Sequence, residues 1–144
     1  MYRCLECGTF NRVPPHERGK PLCGNCNEAL DVSGAPQEVN TERYIEVLTS
    51  SPVPVVVDFW AEWAPPCQMA DPVVEQFARR HAGKVLVVKV NSDKAPQLLA
   101  QLGIEAVPTF QAIQGGEELA RHGGVLPQDA FDRWADRAFT RPAA

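Results

Sequence analysis

From residue 37 onward the apolar positions fall into two kinds of block. Continuous β-branched runs at Val53 to Trp60 and Val85 to Val90 read as buried strands. Between and around them, apolar residues recur at helical spacing. Tyr44, Ile45 and Leu48 form one stripe, behind Asn40 or Thr41 as a cap. Residues 65 to 82 form a second, with Val73, Val74, Phe77, Ala78 and His81 on one side and an expected kink at Pro72. A short third helix over 94–102 carries Leu98, Leu99 and Leu102 and stops at Gly103. Thr109 to Ile113 and Glu118 to His122 flank Gly115-Gly116 as a hairpin. A last helix starts near Pro127 and aligns Phe131, Trp134, Ala135 and Ala138. The order βαβαβαββα predicts an α/β fold, a mixed sheet with helices on both faces and an antiparallel pair at its end.

The first 32 residues differ in kind. They hold few large apolar groups, several glycines and the pair Pro14-Pro15, too little to fold without a staple. The staple is legible: Cys4-x2-Cys7-x15-Cys23-x2-Cys26 is the spacing of a Cys4 zinc ribbon, in which each CxxC turn aims two thiolates at one ion. Two local disulfides or an iron–sulfur cluster are the alternatives, the first disfavoured in a reducing compartment. His16 lies between the pairs and reads as a surface residue, since four cysteines fill the coordination shell. Ser33-Gly34-Ala35-Pro36 reads as a linker. The expected division is therefore 1–34, zinc ribbon and linker, and 35–144, the α/β domain.

Charge narrows the function classes. Fourteen Lys and Arg against eighteen Asp and Glu in 144 residues give net −4. That balance argues against sequence-independent nucleic-acid binding, which needs clustered positive charge. No apolar run approaches the roughly 18 residues of a membrane span, and the start of the chain has no apolar signal segment. The expectation is a cytoplasmic protein with no membrane partner. Five cysteines without an export signal point to a metal site plus one separate thiol, Cys67.

The stretch Val55-Val-Val-Asp58-Phe-Trp60-Ala-Glu-Trp63-Ala64-Pro-Pro-Cys67-Gln-Met-Ala-Asp-Pro72 resembles the active-site region of thioredoxins. Ile104-Glu-Ala-Val107-Pro108-Thr109-Phe110 resembles their cis-proline loop, and Lys89 and Gly123-Gly124 also fit. With the Cys4 module in front, the chain resembles the zinc-containing, second type of bacterial thioredoxin. The resemblance implies a thioredoxin fold, a role in thiol–disulfide redox homeostasis, and partners that are protein thiols or extended cysteine-containing peptides, with thioredoxin reductase as a further partner. It also implies a substrate groove around Trp60, Trp63, Pro66, Val107, Pro108 and Gly124, and a buried carboxylate, Asp58, that serves the resolving thiol.

The chemistry departs from the family at one place. Ala64-Pro65-Pro66-Cys67 stands where the family has Cys-Gly-Pro-Cys. Ala64 occupies the nucleophile position, and Cys67 matches only the second, resolving cysteine. A dithiol–disulfide couple needs two sulfurs in reach. Two prolines also remove backbone donors that would stabilise a thiolate at the helix start. The expectation is a protein-disulfide oxidoreductase family member with lost or reduced dithiol reductase activity. A non-catalytic zinc-ribbon adaptor, or a variant of an active reductase, remains the alternative. Among the other candidates, Met69 reads as core or groove lining, His81 as a packed helix histidine and His122 as a solvated strand-end residue. On composition alone Trp60 fits the core as well as the surface.

Overall fold

The computed structural model describes residues 1–15 and 19–140; His16 lies outside them. The element order after the N-terminal module is the expected βαβαβαββα, its first strand being the two-residue Gln37–Glu38, which no apolar run marks in the sequence. Strand β3 (Gln37–Glu38) precedes helix α1 (Thr41–Ser50), strand β4 (Val55–Trp60), helix α2 (Pro65–Arg80) and strand β5 (Leu86–Asn91). A 3-10 turn at Ser92–Lys94 leads into α3 (Pro96–Leu102), β6 (Thr109–Gln114), β7 (Glu117–Gly123) and α4 (Gln128–Phe139).

The five strands lie in the order β3-β5-β4-β6-β7. β4 runs parallel to β5 and antiparallel to β6, and β6 and β7 form the closing hairpin. A central strand covered on both faces needs apolar residues on both, which is why Val55 to Phe59 reads as a run rather than an alternation. The side chains divide by parity. Val55, Val57 and Phe59 pack with Val88, Val90, Tyr44, Val47, Leu98 and Leu99, on the side of α1 and α3. Val56 and Val87 pack with Phe110 and with Val74, Phe77, Phe131 and Ala135, on the side of α2 and α4. Asp58 shares the parity of Val56, so it faces α2.

Local signals placed the helix ends. The Asn40 side chain accepts a hydrogen bond from Arg43 N and caps α1. Gly103 takes the left-handed conformation, φ 70°, that ends α3. Two expectations need correction. Ile45 is exposed, and α1 buries Tyr44 and Val47 instead. Met69 is exposed rather than core or groove lining, because α2 turns Cys67, Ala70 and Val74 inward. Pro72 lies inside α2, which runs as one helix from Pro65 to Arg80; its missing N–H removes one backbone bond without ending the element.

The N-terminal module carries a two-stranded antiparallel pair, β1 (Tyr2–Arg3) with β2 (Phe10–Asn11). Its small core is Leu30 with Cys4 and Cys23. The module rests on the sheet through β1. The Met1 ammonium donates to the Gly83 carbonyl at 2.8 Å. Arg3 donates to the Gln37 side chain at 2.9 Å, and Gln37 donates back to the Arg3 carbonyl at 3.1 Å. The expected linker is packed too: a methyl group at Gly34 would meet Ala82 Cβ at 2.6 Å. Among the described residues no helix is long and apolar enough to cross a membrane.

Candidate functional site

At the C-terminal end of β4 the chain turns through Ala61 to Ala64 into α2, and this turn gathers the candidate residues. Ala64 is the N-cap of α2, with no side-chain cap, and Pro65 and Pro66 fill its first positions. Both prolines are exposed, and neither has an N–H to offer an anion. Cys67 closes the first turn, its N–H donating to the Ala64 carbonyl at 3.0 Å. Its thiol is buried with Ala61 and Ala64, under Trp60 and Val107. The Ala61 N–H donates to Cys67 Sγ at 3.4 Å. Burial pushes the thiol's pKa up; the Ala61 N–H opposes this and the nearby Asp58 charge adds to it.

Asp58 is 1% exposed, and its Oδ1 has no hydrogen-bond partner. Desolvation raises its pKa from the ordinary 3.8 to about 7; Lys89 pulls it down, while Asp71 and Glu38 push it further up. Lys89 is the residue opposite Asp58 on β5. Its ammonium pairs with Asp71 Oδ1 at 3.2 Å and lies 4.9 Å from the centroid of the Trp60 ring. Trp60 is neither core nor fully exposed: its Nε1 donates to Glu38 Oε1 at 3.1 Å.

The rim lies on the other side of Cys67. Trp63 is 70% exposed, and its Nε1 donates to Asp93 at 3.2 Å. The Val107–Pro108 peptide is cis. Gly124 N donates to the Pro108 carbonyl at 2.9 Å, which ties the start of α4's approach to this loop. Trp63, Ile104, Glu105 and Val107 line a cavity of about 380 Å³. The structure thus brings Asp58, Trp60, Trp63, Ala64, Pro66, Cys67, Val107, Pro108 and Gly124 to one end of the sheet. Glu38, Asp71 and Asp93 belong to the same neighbourhood, and nothing in the sequence marked them; their contacts join residues 18 to 30 positions apart. The histidines lie elsewhere. His81 caps α2, with its ring stacked on Phe77 at 4.2 Å. His122 lies beside Trp134 and lines a separate groove between β7 and α4.

The second constellation is the four-cysteine cluster. The sulfurs of Cys4, Cys7, Cys23 and Cys26 all lie within 4.8 Å of one another. The Cys4–Cys26 and Cys7–Cys23 sulfur pairs are each 3.6 Å apart. A tetrahedral ion with metal–sulfur bonds of about 2.3 Å needs sulfurs about 3.8 Å apart, so the cluster fits a metal ion. All four are free cysteines rather than disulfides. Donors surround them: Asn25 N and Asn11 Nδ2 reach Cys23 Sγ at 3.4 and 3.5 Å, and Asn25 Nδ2 reaches Cys7 Sγ at 3.6 Å.

Comparison with known proteins agrees with this geometry. The family model for thioredoxin matches residues 35–137. Thioredoxin C-3 of Corynebacterium nephridii is 33% identical over 135 residues, 93% of this chain and 92% of that protein. That match takes in most of the four-cysteine module as well. Thioredoxin 1 of Nostoc sp. is 40% identical over 106 residues, covering 74% of this chain and 98% of its own. The crystal structure of Malassezia sympodialis thioredoxin superposes with a TM-score of 0.65 at 28% identity, over 73% of this chain and 91% of that one. A five-stranded mixed sheet, the turn from β4 into α2 and these matches have one explanation: the chain belongs to the thioredoxin family.

Proposed function

We propose that this thioredoxin-family protein of thiol–disulfide redox chemistry has lost or strongly reduced dithiol reductase activity, and that it is of the zinc-containing second type. The observation that carries the reading is the pairing of Ala64 with a buried Cys67 at the start of α2. Turnover of a disulfide converts two protein thiols into one disulfide and passes two electrons to the substrate. The first thiolate attacks and forms the mixed disulfide; the second displaces the product. A methyl group at position 64 supplies no attacking sulfur. Cys67 alone can form a mixed disulfide with a partner's sulfur but has no neighbour in its turn to resolve it. Asp58, buried behind the turn on the α2 side, is the carboxyl that would take the Cys67 proton.

The groove is retained. Trp63, Val107, Pro108 and Gly124 frame it, and among the described residues the Val107 backbone N–H and C=O have no partner. Free main-chain groups beside a cavity suit an extended peptide by strand addition. Protein thiols or extended cysteine-containing peptides are the partners this supports, with thioredoxin reductase as the electron donor once a second sulfur is present. Residues 1–34 act as the metal-bearing module and 35–144 as the thioredoxin domain. The donor set of four thiolates in two CxxC turns favours zinc, held by Cys4, Cys7, Cys23 and Cys26; when bound, the ion supplies a structural crosslink.

The test is turnover of a protein disulfide with excess dithiol reductant. The protein as it stands should match the uncatalysed rate, and Ala64→Cys should turn over measurably. In a CxxC turn the new sulfur comes within bridging distance of Cys67 and faces the positive end of α2. Recovery should be partial, because Pro65 still withholds an N–H. Robust turnover by the Ala64 form would refute the reading.

A further inference from the structure

Lys89 stands opposite Asp58 on the adjacent parallel strand. Both share the sheet face of Val56 and Val87, toward α2. A lysine there is placed to neutralise the buried carboxylate. Yet Asp58 Oδ1 is unpartnered, and the ammonium goes elsewhere. It pairs with Asp71 Oδ1, one turn beyond Cys67 on α2, and lies over the Trp60 ring. That ring is in turn fixed by its Nε1–H donating to Glu38. Lys89 is therefore held by an exposed acid and an aromatic face while a buried acid beside it goes without.

We propose that Asp71 is a positioning residue: it draws the Lys89 ammonium away from Asp58, so that the buried carboxyl can take and return the Cys67 proton. The proposal rests on the reading that Cys67 and Asp58 form the reacting pair. The exchange moves one proton: the thiol becomes a thiolate as the carboxylate becomes a carboxylic acid, with no change of net charge. A lysine bonded to Asp58 would hold it ionised and make it a poor base. The charged and titratable groups around Asp58 are Lys89 from β5, Cys67 and Asp71 from α2, and Glu38 from β3; β6 sets Phe110 opposite it. Asp71 acts on Asp58 in two ways with the same sign. Its own charge disfavours ionisation of Asp58, and its bond to Lys89 removes the cation that would favour it.

The experiment follows the carboxyl carbon of Asp58 and the Cβ of Cys67 by carbon NMR against pH, in the full chain prepared under reducing, chelator-free conditions. Asp71→Ala should lower the Asp58 midpoint by about 1 pH unit, the low end for a carboxylate that gains a cation within reach. The Cys67 midpoint should fall as well. Asp71→Glu, which still reaches Lys89, should stay near the parent. Introduced after Lys89→Met, Asp71→Ala should move Asp58 much less, because the lysine it would release is gone. The side chain of Asp71 is 51% exposed, so these variants leave the core untouched. An Asp58 midpoint that stays or rises in Asp71→Ala overturns the proposal. So does an equal shift with and without Lys89, which would leave Asp71 acting by its charge alone. Turnover plays no part in this readout, so failure of Ala64→Cys to recover activity and failure of Asp71 to move Asp58 are separate results.

Discussion

Asp58→Asn should stabilise the protein near neutral pH, and the size of the effect follows from burial. The folded chain raises the Asp58 pKa from 3.8 to about 7. At ~1.4 kcal/mol per pH unit, that difference amounts to about 4 kcal/mol once the group is fully ionised. The sign comes from which state holds the proton more tightly. Here the folded state does, so this contribution favours folding below the unfolded value. Stability is lost as pH rises from about 4 to about 7, and the loss levels off above that. Asparagine removes the ionisation and keeps the shape. Its amide remains a buried polar group, and leaving it unpartnered costs about 1–3 kcal/mol. The net gain near pH 8 is then about 1–3 kcal/mol. The change with pH is the sharper test, because the amide's cost is the same at every pH. Urea denaturation of parent and variant, side by side from about pH 5.5 to about pH 8.5, should show the variant's advantage widening by about 2 kcal/mol. Side-by-side measurement cancels acid effects on the four-cysteine site. An advantage that does not change with pH would refute the burial argument, as would a parent that becomes relatively more stable as pH rises.

Elemental analysis should find one zinc per chain in protein prepared without chelator. Stripping it should expose residues 1–34 to hydrogen exchange while the five-stranded sheet stays protected, since the module's core is only Leu30 with Cys4 and Cys23. Gly34→Ala should lower the urea midpoint by the equivalent of about 1–3 kcal/mol. Its φ is +81°, and the added methyl would lie 2.6 Å from Ala82 Cβ and 2.7 Å from the Ala78 carbonyl oxygen. Tyr44→Phe removes the hydroxyl that donates to buried Gln111 at 2.7 Å. It should cost about 1–3 kcal/mol in the same assay, and Gln111→Leu added to it should recover part of the loss.

Much of the fold could be read in advance because its determinants are local. A strand buried on both faces must be apolar along its length, and Val55 to Phe59 is, apart from Asp58. That exception was itself a signal, since a carboxyl in such a run serves a site or costs stability. Helix stripes, the Asn40 cap and the Gly103 stop each depend on residues within a turn or two of one another. The same holds for the cysteines: each CxxC turn fixes its own two sulfurs, and the spacing leaves only their meeting to tertiary structure. The errors have the opposite origin. Ile45 and Met69 sit on faces whose partners are set by how α1 and α2 roll on the sheet. A few tens of degrees decide between core and solvent, and spacing alone does not fix that angle. Ser33 to Pro36 has the composition of a free tether, yet Gly34 packs against the end of α2.

By itself, then, the sequence determined the order of the longer elements, the thioredoxin likeness, the four cysteines spaced to hold a metal ion and the alanine at position 64, all properties of residue identity at short spacing. The tertiary structure alone decided the electrostatics around Cys67. Which acid holds Lys89, what fixes the Trp60 ring and whether Asp58 finds a donor depend on distances of 3 to 5 Å between side chains from β3, β4, α2 and β5. Coulomb and desolvation energies change steeply over such distances and hardly at all with separation along the chain.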